Sequence, residues 1–368
     1  MRSPDLNRFA LSVCTAAMLA GCGGSQPPIG APGAMPELET APGHIVAHHI
    51  GVPSSFHVLH SFGPLPDGAQ PYAGLIDVKG TLYGTTFTGG SNGCGTGYIC
   101  GTVFSITTTG VEQVLYNFTG SSGEYPMAGL IDVNGTLYGT TFGGGMYDAG
   151  TVFTISTAGA EQALYSFTGG SDGSLPTTSL INVNGTLYGT TVRGGAYNLG
   201  TVFSIGTTGS EKVLHSFGSG TDGAHPYFAS LVNVKGLLYG TTTYGGMYEP
   251  SGGGDGTVFS ITTGGTEKVL HNFGSGSDGS VPYAGLIDVK GKLYGTTAGG
   301  GTPRTCGRFG CGTVFSITTA GDEHVVHHFK KDEGYDPLAS LIDVNGTLYG
   351  TTRWGGTYRG GTVFALSP

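Results

Sequence analysis

Arg193, Tyr244, Arg353 and Trp354 are the side chains of this 368-residue chain best suited to chemistry by type and spacing. Each lies just past a Thr-Thr pair, at the start of a Gly-rich loop, where related loops carry Phe87 and Phe142. Tyr197, Tyr248 and Tyr358, together with Tyr147, recur a few residues further on, after Gly-Gly. Guanidinium groups and aromatic rings gathered on one rim stack on sugars or anchor a protein partner. The plainer reading is that these rings cover strand ends as local packing. Carboxylates offer less. Asp77, Asp132, Asp288 and Asp343 share a slot with Asn182 and Asn233 before a two-residue turn. Asp288 and Asp343 are the pair that a glycosidase-type mechanism would need across a channel. Since Asn fills the same slot, bonding to the turn backbone is the preferred reading. His60, His215, His271 and His327 alternate with Tyr116 and Tyr165, which marks a structural position. Asp67, Asp172, Asp222 and Asp278 precede Gly in a D-G-x-x-P turn, and no Asp run with calcium-loop spacing occurs. No P-loop, GxSxG, HExxH or dinucleotide fingerprint occurs. Neither a metal nor a cofactor is expected.

The elements that must position these residues repeat. LYGTT begins at Leu82, Leu137, Leu187, Leu238, Leu293 and Leu348. The first unit shows the pattern. VLHSF (58–62) alternates and is rich in β-branched and aromatic residues, so it predicts a strand. AGLIDV (73–78) predicts a second and Thr81 to Thr86 a third, across a Lys79-Gly80 hairpin turn. Later copies place Asn-Gly there, at 134–135, 184–185 and 345–346, a type I′ signal. GTVFSI (101–106) is the next strand, and 114–118 repeats VLHSF. Four antiparallel strands in about 50 residues, with no helical period, predict a β-propeller blade. The expected fold is all-β, a six-bladed propeller of four-stranded antiparallel blades. The chain enters on a last strand and ends one strand short. Residues 55–62 are therefore expected to complete the sixth blade and close the ring, removing open edges. Identical positions such as the Tyr of LYGTT are expected to be packing, with the Thr hydroxyls bonded.

The units resemble kelch repeats in strand order, but carry Thr-Thr where kelch has Gly-Gly and lack its Trp. The string GTLYGTT…GG…GTVF…SF, over 56–364, more closely resembles the tandem-repeat proteins called GloVer, or "choice-of-anchor" repeat proteins. That resemblance implies a bacterial, exported protein held by one of several anchors, and carries no established activity. Residues 1–21 read as an export signal, with Arg2, Arg8 and an apolar run too short to span a membrane. The sequence LAGC (19–22) resembles the bacterial lipobox, which implies acylation of Cys22 and a membrane anchor. Residues 22–55 are Pro- and Gly-rich and predict a tether, leaving 56–368 as the propeller.

Composition agrees with this division. The chain has 72 Gly, 18 Phe, 19 Tyr and a net charge of −9. It has many turns, enough apolar matter for a core, and no basic run to capture nucleic acid. Cys94 with Cys100, and Cys306 with Cys311, each bracket a loop before GTVF; in an exported chain each pair predicts a local disulfide. Three functions follow from these readings. The first is a monomeric, lipid-anchored binding module at the cell envelope for an extracellular glycan or protein. The second is an exported polysaccharide-active enzyme. The third is a purely structural envelope protein.

Overall fold

The protein is described by a computed structural model covering residues 57–368. It omits 64, 92, 95–97, 219–220, 248–253, 275–276, 303–305, 307–308 and the side chains of 93–94 and 98–99. The expected signal (1–21) and tether (22–55), with Cys22, and also Tyr248, lie outside the described residues. The compact unit runs from His57 to Pro368. Every repeat forms one antiparallel sheet. In the second, Ile131–Val133, Thr136–Thr141, Thr151–Ser156 and Glu161–Ser166 pair in chain order. The first strands of successive sheets approach one another and are therefore innermost. Among the described residues there are only strands, turns and loops. The fold is an all-β six-bladed propeller.

The repeat sequence explains each joint. The two-residue hairpin between first and second strands demands positive φ, met by Asn134, Asn184 and Asn345 and by Lys79, Lys235 and Lys290, each followed by Gly. The residue three before that Gly caps the turn: Asp77, Asp132, Asn182, Asn233, Asp288 and Asp343 each accept the Gly N–H at 2.7–2.9 Å. The preferred reading of these residues holds. The pair Asp288 and Asp343 is a pair of hairpin caps, occupied by Gly291 and Gly346.

Between sheets, the Phe after each outer strand meets the Phe of the next GTVF edge to face. The centroids of Phe118–Phe153, Phe167–Phe203, Phe217–Phe259 and Phe273–Phe315 lie 5.0–5.2 Å apart. The Gly of LYGTT makes room for that ring. A Cβ on Gly189 would lie 2.7 Å from the tip of Phe203 and 2.9 Å from Leu180. Gly189→Ala is therefore expected to cost about 1–3 kcal/mol by overpacking, read from the urea midpoint. An unchanged midpoint would mean that the sheets slide apart freely.

The sixth sheet differs from the other five. It has three strands, Ile342–Val344, Thr347–Thr352 and Thr362–Leu366. The segment expected to complete it, 58–62, is not a strand. It lies against the first sheet instead, with Phe62 meeting Phe104 edge to face at 5.2 Å. Val363 is 79% exposed, whereas its counterparts Val152, Val202 and Val258 are fully buried. Closure of the ring is thus not formed in the structure. Phe62 has taken the place toward sheet one that Phe118 takes toward sheet two, while the partnership with Val363 is left unmade.

Cys306 and Cys311 are bonded, with S–S 2.03 Å. Cys100 is also disulfide-bonded, and the side chain of Cys94 lies outside the described residues.

Candidate functional site

The second Thr of LYGTT connects scaffold to site. Its hydroxyl meets the Thr of the facing GTVF strand at 2.8 Å in all six sheets. It also donates to the carbonyl two residues on: Thr191 to Arg193 at 2.9 Å, Thr242 to Tyr244 at 3.0 Å and Thr352 to Trp354 at 3.1 Å. Those residues then pair by backbone with the loop that leads into the same sheet, D-G-x-x-P or its variant Glu333-Gly334-x-x-Pro337: Ser174 with Arg193, Ala224 with Tyr244 and Tyr335 with Trp354. The loop entering a sheet and the loop leaving its second strand thus together hold each candidate side chain.

The loops converge on one cluster. The ring of His225 lies 6.3 Å from Tyr227 and 6.2 Å from Tyr244. Tyr227 lies 6.2 Å from Tyr283, and the Tyr244 and Tyr283 hydroxyls are 3.4 Å apart. Arg193 adjoins Tyr227, and Asp336 acts on Tyr283. Asp336 lies 3.7 Å from Arg353, whose guanidinium sits 5.2 Å over Trp354. The line from Arg193 to Trp354 crosses sheets three to six. Its rings are half-buried, with Trp354 39% exposed.

Electrostatics keep this cluster in donor form. Burial, then the hydroxyl of Tyr244, push the Tyr283 phenol well above its usual value. Burial likewise raises Tyr227, against the lowering effect of Arg193. His225 is held low by burial and then by Arg193, against its bond to the Val192 carbonyl at 2.8 Å, so it is neutral at pH 7. Burial raises Asp336, and Arg353 opposes the rise. The result is a strip of phenol donors and aromatic faces with a guanidinium at each end.

Sequence reasoning found Arg193, Tyr244, Arg353 and Trp354, and the structure brings them together. It did not find His225, Tyr227, Tyr283 or Asp336, which flank the Pro of D-G-x-x-P. Tyr197 and Tyr358 do not join the strip; they are 54% and 95% exposed, on loop tips. Beside the strip a cavity of about 340 Å³ opens among the innermost segments, lined in part by Leu75, Met127, Thr177 and Phe228. Its described lining contains no carboxylate.

One group has the composition of a metal site. His60, Asp67 and Glu112 place ligand atoms within 4.8 Å of one another. Its counterparts explain it differently. His215 and His271 meet Asp222 and Asp278 at 2.8 and 3.0 Å, while Tyr165 donates its hydroxyl to Asp172 at 2.9 Å in the same slot. A hydroxyl replaces the imidazole because both serve as donors to the Asp. Burial raises Asp67, but bonds from Gly63, Gly68 and His60 prevail and hold it low and ionised. The histidines are thus structural, as their interchange with tyrosine implied.

Comparison with solved structures finds propellers of low identity. A gluconolactonase from Xanthomonas campestris matches at 15% identity and TM-score 0.46, covering 83% of this chain and 89% of that one. A GH74 enzyme from Niastella koreensis matches at 15% and 0.49, covering 78% of this chain and 43% of the other. A luciferin-regenerating enzyme matches at 12% and 0.47, covering 83% and 92%. No curated protein matches the chain. The repeat itself is matched by a family model, over residues 97–309 and 251–368. Most of the propeller is thereby accounted for, and the chain belongs to the Gloeobacter/Verrucomicrobia repeat family.

Proposed function

We propose that this protein is an exported, lipid-anchored propeller that binds an extracellular glycan on the strip from Arg193 to Trp354. The anchor would be the acylated Cys22 and the setting the cell envelope. The observation that supports this reading is the convergence of Tyr227, Tyr244 and Tyr283 from two consecutive repeats, with the hydroxyls of Tyr244 and Tyr283 3.4 Å apart and the Tyr227 ring beside Tyr283. Architectural residues recur in every repeat, and these do not. Faces of half-buried rings suit the apolar faces of sugars, and phenols and guanidiniums suit their hydroxyls. Among the described residues, the lining of the cavity beside the strip holds no pair of carboxylates such as glycoside hydrolysis uses, and this supports binding as the preferred reading.

The test is a glycan array on the secreted domain, followed by titration of the best ligand. Tyr283→Ala and Trp354→Ala are each expected to weaken binding about tenfold or more, with the thermal midpoint little changed for the exposed Trp354. Binding untouched by both substitutions, or no binding across neutral and acidic glycans, overturns the proposal.

A further inference from the structure

The loops of the sixth sheet depart from their siblings in a coordinated way. In sheets two and three the Gly-Gly turn after LYGTT is capped from within. Gly144 N–H points to Asp148 Oδ1 at 3.4 Å, and Gly194 N–H donates to Asn198 Oδ1 at 3.0 Å. The equivalent residue in sheet six is Arg359, with the same left-handed backbone: φ is 61°, against 58° and 59° for Asp148 and Asn198. An arginine brings no acceptor oxygen. Gly355 pairs along the backbone with Gly360 instead. The next N–H is also released. Gly145 and Gly195 donate to the carbonyls of Gly120 and Gly170 at 2.8 and 2.9 Å. Their counterpart Gly356 makes no hydrogen bond through its N–H among the described residues.

Cations have entered where small residues stand elsewhere. After the Phe that ends the outer strand, other repeats read Gly-Pro, Thr-Gly or Gly-Ser; here the chain reads Lys330-Lys331. Lys330 pairs with Glu333 at 3.2 Å, and Glu333 is also held by His327 at 3.1 Å. Lys331 and Arg359 have no ion pair among the described residues. Tyr335 takes a position filled elsewhere by Ala69, Glu124, Ser174, Ala224 and Ser280. Lys330, Lys331, Arg359, Tyr335, Gly355 and Gly356 line a cavity of about 680 Å³ together with one carboxylate, Asp332, so cations outnumber acids in its lining. An internal oxygen has been removed, an N–H opened, and two free cations and a ring added around the same space. These changes share one explanation, an acidic oxygen supplied from outside.

We infer that the loops of the sixth sheet form a site for the anionic group of an acidic sugar, a uronate carboxylate or a sulfate ester. The sugar ring would lie on Tyr335, and the acid group would accept from Arg359, Lys331 and the Gly356 N–H. This rests on the glycan reading above and extends it, because Tyr335 pairs by backbone with Trp354 at the end of the aromatic strip. A cation-rich site in a chain of net charge −9 also selects its ligand by position, since the rest of the surface repels anions.

The test is isothermal titration of the secreted domain with polyuronate, sulfated and neutral oligosaccharides of equal length. One acidic class is expected to bind at least about tenfold tighter than the neutral one, an advantage that shrinks as salt is raised. Arg359→Asn restores the cap found in sheet three, so the fold is kept while the site is filled from within. It should remove the acidic preference, as should Lys331→Gln combined with Arg359→Gln. Acidic preference that survives Arg359→Asn overturns the inference, as does equal binding of acidic and neutral sugars. Loss of binding in Tyr283→Ala with no effect of Arg359→Asn would retain the strip and reject this site.

Discussion

Phe203→Ala lowers the unfolding free energy by about 3–5 kcal/mol, near the upper end for a single substitution in this fold. Phe203 is fully buried and meets Phe167 of the preceding sheet at 5.2 Å. Its ring tip fills the space that Gly189 leaves open, beside Leu180. The ring therefore belongs to two sheets at once, and truncation opens a void that neither can close alone without separating from its neighbour. Close-packed interiors relax only in part around such a void, so a cavity cost adds to the transfer cost. The internal control is Phe364, which meets Phe329 at 5.1 Å but stands on the three-stranded sheet and is partly exposed. Phe364→Ala should cost less than half as much. Urea denaturation with the slope monitored checks both. Equal losses at the two positions would show that the sixth sheet is as well covered in solution as the third. That outcome would support the expected closure of the ring by residues 55–62.

The scaffold was legible because each joint has a local chemical cause. Asn-Gly and Lys-Gly specify their own turns, and Asp or Asn three residues earlier caps them. The strand–turn pattern therefore emerges from neighbours in sequence. Closure was not legible in the same way. VLHSF has the composition of an outer strand, but composition does not tell whether Phe62 commits to sheet one, to the strand at Thr362–Leu366, or to both. The site was half legible. Arg193, Tyr244, Arg353 and Trp354 stood out by differing from their counterparts. Tyr227 and Tyr283 were hidden because the D-G-x-x-P string carries a sufficient turn explanation, which drew attention from the residue after Pro. The signal was present: that slot reads Tyr72, Met127, Thr177, Tyr227, Tyr283 and Leu338. Their meeting depends on the angle between sheets, which no local pattern encodes.

The glutamates that open the outer strands give the largest response to solution conditions. Glu112, Glu161, Glu211, Glu267 and Glu323 each hold one buried carboxylate oxygen without a hydrogen-bond partner among the described residues. Glu211, Glu267 and Glu323 each sit against the Tyr or His of the preceding sheet and its bonded Asp, Glu161 against Tyr116, and Glu112 against His60 and Asp67. Burial raises Glu211, Glu267 and Glu323 to about 7, from an ordinary value near 4.5. Asp172 adds to the rise at Glu211, and the nearby Tyr165 hydroxyl opposes it. His215 and His271 oppose it at Glu267 and Glu323, where Asp222 and Asp278 reinforce it. Between these values the unfolded chain has released protons that the folded chain retains, so stability falls as pH rises. The loss is absent below about pH 4.5 and complete above about 7. Each pKa unit corresponds to about 1.4 kcal/mol, and solvent screening of half-covered carboxylates reduces the effect to about 1 kcal/mol per group. Together the three amount to about 3 kcal/mol, or roughly 5 °C of melting temperature between pH 5 and 8. His225 and His328, both held low by burial, act in the opposite direction below about pH 6.5. Asp67 and Asp222, held low by their donors, matter only in stronger acid. Calorimetry across pH 5–8 gives the total. The triple variant Glu211→Gln, Glu267→Gln, Glu323→Gln isolates the glutamates, since Gln reproduces the protonated form and cannot ionise. It should flatten the profile and melt above the parent at pH 8. A parent whose midpoint is constant or rises with pH, or a triple variant with the same slope, would place these carboxylates in water rather than between the sheets.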